Sequence, residues 1–556
     1  MRARLAATAV ALLLLAGCAD TPAVGPGAEP VPGDPETLMA NADAALERRE
    51  LPEAARWYRL AAEAADDESV AEQATRAAFD HWQMREASLA AARWLVLNPT
   101  SEEARRYAGV AALELHRLDT AEAHFADLVA SAYLSPAAGF LALLPVVADH
   151  GSTPDVTELF RRLAARHPKV AEGQYALASA GLRSENFGLA REGARRATEL
   201  APYWVPAKSL LARVLVASGE EEAGLEAARD LVMAPDADVA THLEYALLLA
   251  TVGREQEARA MLTPYASGST VVPGAVRSLG LLDLEQGDLD AATARFEDLL
   301  STGAQSFDAL YFLGRIADRR NDTERALRYY GRVASGEFAL PAQSRAARIK
   351  AEQSGLEAGL EHLDAYARSQ PQHGPDLVAA RAGLASGLGD AKRAIALLDA
   401  GLRQFPDSTD LRMARVFAYE RAGQTDAAVR DLRAMLAERP GDAVVQNALG
   451  FTLADRNRQL DEAEGLVAAA LEQTPDSAAV LDSMGWVLYR QGRLQDALSY
   501  LERARALGED PEMDLHFGEV QWALGDKAGA RVTWAEGLKR RPDDARLKER
   551  LERAGP

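Results

Sequence analysis

The chain has 556 residues, 48% of them hydrophobic and 26% charged, with a formal net charge of −21. This composition excludes a disordered chain, and the length asks for several domains or one repetitive array. So acidic a surface repels phosphates, which disfavours nucleic-acid binding and adhesion to anionic lipid; a basic or neutral protein partner is easier to accommodate.

The first predicted element is an export signal. MRARLAATAVALLLLAGCAD carries Arg2 and Arg4, an apolar run from Leu5 to Leu15, and small residues ending at Cys18. The run is about half of the ~20 residues that cross a bilayer, so residues 1–17 suit a signal peptide better than a membrane span. Leu15-Ala16-Gly17-Cys18 resembles the lipobox of bacterial lipoproteins. That resemblance implies cleavage before Cys18 and lipidation of its thiol, palmitate included, and several acyl chains give stable anchoring where one does not. In the family's sorting logic an aspartate directly after the cysteine favours the inner membrane; Ala19 stands here, which implies the periplasmic face of the outer membrane. Cys18 is the only cysteine, so no intramolecular disulfide forms. Loss of Arg2 and Arg4 with the signal takes the net charge to −23. Residues 18–36 hold five prolines and three glycines and have no helical period. As a Pro-rich tether they reach roughly 50 Å.

Beyond the tether Ala, Leu, Arg and Glu dominate, alternating strand patterns are nearly absent, and an all-α fold is expected. The chain is self-similar. Small residues standing four before a bulky apolar one recur at Ala54, Ala87, Ala121, Ala190, Gly224, Ala258, Ala292, Ala326, Gly359, Ala394, Ala428, Ala463, Ala497 and Ala530. Their spacing is 33 to 35 residues, except for a gap of 69 that holds a degenerate unit near Val156. Four residues after the anchors stand Tyr58, Phe125, Phe296, Tyr330, Leu398, Leu501 and Trp534, one helical turn on and on the same face. Five before them lie glycines such as Gly219, Gly287 and Gly492, where a first helix ends and the chain reverses. Twelve before, Gly109, Gly280, Gly314, Gly485 and Gly518 let two helices approach closely, and twelve after, prolines such as Pro99, Pro406 and Pro475 stop the second helix.

This order of small residue, glycine turn, alanine, bulky residue and closing proline resembles the tetratricopeptide repeat. It covers roughly residues 37–542, about fifteen units. The resemblance implies an α-solenoid superhelix in which each unit stacks on its neighbours and a long concave wall remains open. The expected divisions are N-terminal repeats 37–128, a degenerate repeat 129–168 with Pro145 inside an apolar run, repeats 169–542, and a capping helix 543–556. In the cap, Asp543 and Asp544 start the helix and Leu547 and Leu551 face inward.

One stretch, DSMGWVLYRQG at 482–492, carries two apolar stripes. Leu481, Met484, Gly485 and Leu488 account for packing, while Asp482, Trp486 and Tyr489, with Arg490 beside them, cluster roughly 100° away. In tetratricopeptide proteins that second face lines the groove. Phe417, Phe451, Trp486 and Glu519 hold one position in consecutive repeats; Met413, Asn447, Asp482 and Leu515 run parallel. Glu420, Arg421, Asp455, Tyr489, Arg490 and Trp522 are expected at the edges. Aromatic residues ringed by polar ones are what a protein-binding hot spot is made of. The alternative is that these aromatics only pack against the adjacent helix.

Catalytic signatures are missing: GxSxG, GxxxxGK[ST], GxGxxG and HExxH do not occur. The nine histidines are scattered, His116 and His124 have no second ligand at metal spacing, and these read as surface or edge residues. No enzyme, metal, cofactor, nucleic-acid or small-molecule substrate role is expected. The tail, from NALGFTLADRN through LDSMGWVLYRQGRLQDAL to HFGEVQWALGD, resembles outer-membrane repeat lipoproteins of the LbcA type. The resemblance implies an adaptor that binds a periplasmic carboxyl-terminal processing protease and brings it to substrates such as peptidoglycan hydrolases. The other expectation is a structural repeat lipoprotein of an envelope export apparatus, for exopolysaccharide secretion or pilus assembly.

Overall fold

The computed structural model describes residues 33–555 apart from 133–134, 149, 268–270, 304, 371–372 and 509. The signal, Cys18 and the tether up to residue 32 lie outside the described residues. The first helix spans Pro35–Glu47, with Asp34 accepting from Thr37 N–H as its cap. The first helix therefore begins inside the segment 18–36 expected to be a tether, because Pro35 at the first helical position needs no hydrogen-bond donor there.

Among the described residues stand thirty-one α-helices, one five-residue π-helical segment at Leu128–Ala132, and no strand. The helices pair antiparallel along most of the chain and the pairs stack in order, so the fold is an all-α solenoid. Each hairpin closes on the register seen in the sequence. Ala87, Ala292, Ala428 and Ala497 are fully buried, as are Phe125, Phe296 and Leu501 one turn on. The glycines of the first helices receive those bulky partners: a Cβ on Gly485 falls 2.5 Å from Leu501 Cγ. Burying each such side chain contributes roughly 1.5–3 kcal/mol, and the core is a chain of clusters, one handing on to the next.

The reversal inside each hairpin requires a left-handed residue. Gly219, Gly287 and Gly492 supply it with φ of +84°, +80° and +83°. In other repeats the same turn position holds Arg49, Trp82, His116, Glu185 or Asn321, with φ between +54° and +60°. A side chain there costs on the order of 1 kcal/mol, so the packing of the helices, not the turn residue, imposes the reversal.

The degenerate unit departs from the pattern. Helix Leu118–Asp127 runs on into the π-helical segment, and Gly139 admits it: a Cβ there would meet Val129 Cα at 2.8 Å. Helix Pro136–Ala148, with Pro145 inside it, packs on that segment and on Ala171–Arg183. Helix Thr153–Arg166, which buries Val156, packs on Leu118–Asp127 and on Ala171–Arg183.

A solenoid was expected to touch only its neighbours, and this one does more. Gln83 Nε2 donates to the Gln404 carbonyl at 2.9 Å, Arg85 lies 3.3 Å from Asp407, and His116 Nε2 is 2.9 Å from Thr409 Oγ1. Trp82 and Leu51 pack on the apolar cluster that contains Phe405 and Leu411. The superhelix thus closes on itself across 293 to 322 residues of sequence.

Candidate functional site

The first helices of four consecutive repeats, Thr409–Arg421, Ala443–Asp455, Ala478–Arg490 and Pro511–Leu524, present their inner faces to one concavity, which the last helix, Ala545–Ala554, closes at its end. Ser408, Asp442, Asp510 and Asp544 cap the starts of four of them by accepting backbone N–H groups. Such caps satisfy donors that a helix cannot bond internally. The concavity encloses about 980 Å³.

Nine of the thirteen residues expected to bind a partner line it: Phe417, Glu420, Arg421, Phe451, Asp455, Trp486, Tyr489, Arg490 and Glu519. The other four do not. Met413 lines a separate cavity at the closure of the superhelix. Asn447 lies outside the lining of both cavities. Trp522 turns to Trp534, with ring centroids 5.7 Å apart and Lys527 over its face. Asp482, one turn before Trp486 on the predicted stripe, is buried and pairs with the next repeat. In the first three of the four helices the wall is formed by the C-terminal half alone, so Met413, Asn447 and Asp482 fall beneath it, whereas Pro511–Leu524 contributes Glu512, Leu515, His516 and Glu519 and leaves Trp522 beyond its edge.

At the centre Trp486 is both core and lining. It is 7% exposed and belongs to a buried apolar cluster, yet it borders the groove. Tyr489 stacks on it at 5.1 Å, the His516 ring at 4.2 Å, and Arg490 holds its guanidinium 5.5 Å from the indole centroid. Trp486 thus packs in the core and also borders the groove. Phe417, at 55% exposure, is the most open aromatic of the wall.

His516 is the residue that the sequence did not signal, and it corrects the reading of the histidines as surface or edge residues. It is 2% exposed, with Nδ1 2.7 Å from Asp482 Oδ2. Burial alone pushes its pKa down, but Asp482, with help from Glu512, outweighs this and raises it. Leu515, not His516, falls in register with Asp482, so the pairing is one residue out of phase with the repeat. His116 is likewise enclosed, between Asp155 and Thr409. The wall also includes Thr452, Arg456, Glu512, Arg546 and Arg550. Arg546 and Arg550 come from the helix assigned only to capping; their spacing of four, on the face beside Leu547, was the available signal.

The charges of the wall are mostly matched. Arg546 is 2.6 Å from Glu512, Arg550 pairs with Glu519, Arg456 is 3.7 Å from Asp455, and Thr452 donates to Glu420. Burial raises the pKa of Glu420; the Thr452 hydroxyl opposes this and Asp455 adds to it. No group of three His, Cys, Asp or Glu residues able to hold a metal ion occurs among the described residues.

The second cavity, about 890 Å³, lies at the closure and is lined by Trp82, Glu114, His116, His150, Asp376, Asp410 and Arg439 among others. Burial, then Asp410, raises the pKa of Asp376, and burial, then Glu114, raises that of Asp410.

Comparison with known proteins places these features. Models described as tetratricopeptide repeat match residues 277–339, 385–450, 449–511 and 483–545. Those segments are tetratricopeptide repeats, a scaffold for binding proteins, and they include every helix of the wall but the last. A TPR repeat-containing protein of Pseudomonas aeruginosa is 33% identical over 213 residues, covering 38% of this chain and 36% of the relative. The chain thus spans about a third of the length of the curated relative it matches. A tetratricopeptide repeat protein from Parabacteroides merdae aligns at 15% identity over 45% of this chain and 99% of its own, with a TM-score of 0.35. Yeast Tom70 aligns at 13% identity over 94% of both chains, also with a TM-score of 0.35.

Proposed function

We propose that the protein is a non-catalytic adaptor, held by lipid on Cys18 at the periplasmic face of the outer membrane, that captures protein partners in the groove around Trp486. The observation that carries this reading is the gathering of Phe417, Phe451, Trp486 and Tyr489 from three repeats on one concave wall with a charged rim. Buried aromatics within a polar ring are how binding hot spots are organised. The partner is a periplasmic carboxyl-terminal processing protease, which the adaptor brings to cell-wall hydrolases. A tethered groove raises the local concentration of enzyme and substrate without supplying chemistry.

The test is affinity purification from detergent-solubilised envelope, comparing the wild type with Phe417→Ala/Arg490→Ala. Both side chains sit on the open part of the wall, so the fold survives their loss. The wild type is expected to retain at least tenfold more protease than the variant. Equal recovery, or no protease in either sample, rejects the reading. Cys18→Ser is expected to move the folded protein from the membrane to the soluble fraction, and continued sedimentation with membranes overturns the anchor.

A further inference from the structure

The groove has a sign of its own, opposite to that of the whole chain. Of its five arginines, Arg546, Arg550 and Arg456 have carboxylate neighbours, whereas Arg421 and Arg490 have none within ion-pair distance among the described residues. All four carboxylates of the wall are engaged: Glu512, Glu519 and Asp455 by arginine and Glu420 by the Thr452 hydroxyl.

A second, independent observation points the same way. Trp486 Nε1 is buried, on a residue only 7% exposed, and has no hydrogen-bond partner. An indole N–H can only donate, and leaving a buried donor unmet is unfavourable. Trp486 Nε1–H is thus a donor bordering the groove that no acceptor among the described residues meets. A cationic segment would find the carboxylates taken and the guanidinium groups repelling it. A purely apolar segment would stack on Phe417 and Phe451 but leave Trp486 Nε1 and both free arginines unmatched.

We infer that the occupant of this groove is an extended acidic peptide segment, whose carboxylates meet Arg421 and Arg490 and one of whose oxygen acceptors takes the Trp486 Nε1–H. The inference rests on the groove being a protein-binding site and adds the chemistry of what it binds. Charge-assisted contacts between guanidinium and carboxylate are the strong members of the hydrogen-bond family, and the aromatic wall supplies the area against which the chain lies. The net charge of −21 repels such a segment at a distance. That repulsion is screened beyond about 8 Å at physiological ionic strength, which leaves the local match to decide binding.

The experiment uses the full chain in detergent and three fluorescein-labelled ten-residue peptides of identical Leu, Phe and Gly content whose remaining positions are all Glu, all Gln or all Lys. Fluorescence anisotropy is expected to show the Glu peptide bound at least tenfold more tightly than the Gln peptide, and the Lys peptide weakest. Arg421→Gln and Arg490→Gln each reduce affinity for the Glu peptide about tenfold, and Trp486→Phe, which keeps a ring but removes the N–H, reduces it several-fold. Circular dichroism confirms that each variant is folded. Preference for the Gln or Lys peptide, binding of the Glu peptide that ignores these substitutions, or no binding by any peptide overturns the inference. Gln- or Lys-peptide binding that is lost in Phe417→Ala preserves the groove as a protein site while rejecting its acidic occupant. Protease capture unaffected by Phe417→Ala/Arg490→Ala rejects the protein site itself.

Discussion

His516 Nδ1 lies 2.7 Å from Asp482 Oδ2, joining two successive repeats beneath the Trp486 ring. Both residues are buried, so the pair is a fixed floor for the groove. Breaking a buried pair leaves an uncompensated charge, and Asp482→Asn is expected to destabilise the C-terminal repeats by about 3 kcal/mol. Urea unfolding followed by circular dichroism measures it.

The same pair sets a pH dependence. The raised pKa of His516 in the folded state means that the contribution is complete below its ordinary value of 6.5 and is lost as pH rises through the folded value. The melting temperature is expected to fall as the pH rises above about 6.5, and His516→Gln to flatten that part of the profile. A profile unchanged by the substitution contradicts the assignment.

His362 has the opposite sign. Burial, then Lys350, lowers its pKa from 6.5 to about 4. The neutral ring accepts from Lys350 Nζ at 3.0 Å and donates to Gln343 Oε1 at 2.8 Å, and Gln343 in turn donates to the carbonyls of Tyr330 and Val333. A depressed pKa gives stability that is present above pH 6.5 and lost as pH falls toward 4. The loss is expected to be roughly 2 kcal/mol after allowance for partial exposure. Acid titration of wild type and His362→Gln, read by thermal melting, separates this residue from the rest.

Gly485 and Leu501 are expected to be energetically coupled. Gly485→Ala gains helix propensity of about 1 kcal/mol but drives its Cβ to within 2.5 Å of Leu501 Cγ. Overpacking costs about 1–3 kcal/mol, so the variant is destabilised by roughly 1 kcal/mol. Leu501→Ala alone costs about 3 kcal/mol, and the double variant is expected to cost less than the sum of the two. Strict additivity in denaturant melts refutes the contact.

The closure between Gln83, Arg85 and His116 on one side and Gln404, Asp407 and Thr409 on the other is testable by shape. Gln83→Ala combined with Arg85→Glu is expected to open the superhelix, raising the radius of gyration in small-angle scattering while helical circular dichroism stays constant. An unchanged radius shows that the apolar contact of Trp82 holds the closure by itself.

The repeat period, the positions of the turns and the identity of the packing residues were legible in the sequence. They are local matters: Ala497, Leu501 and Gly485 lie within one hairpin, and the 3.6-residue period sets which of them face each other. Nine of the thirteen residues expected on the groove do line it for the same reason, since their position repeats with the hairpin. What the sequence could not show depends on how hairpins rotate against one another. The twist carries Asp482 under the wall and onto His516, one residue out of register, and turns Trp522 away to Trp534. Accumulated over nine repeats, it brings Gln83 to Gln404, a contact no local pattern encodes because nothing in a single repeat records the sum of small rotations. Sequence periodicity therefore determined the units and their faces, and only the tertiary structure decided which faces meet.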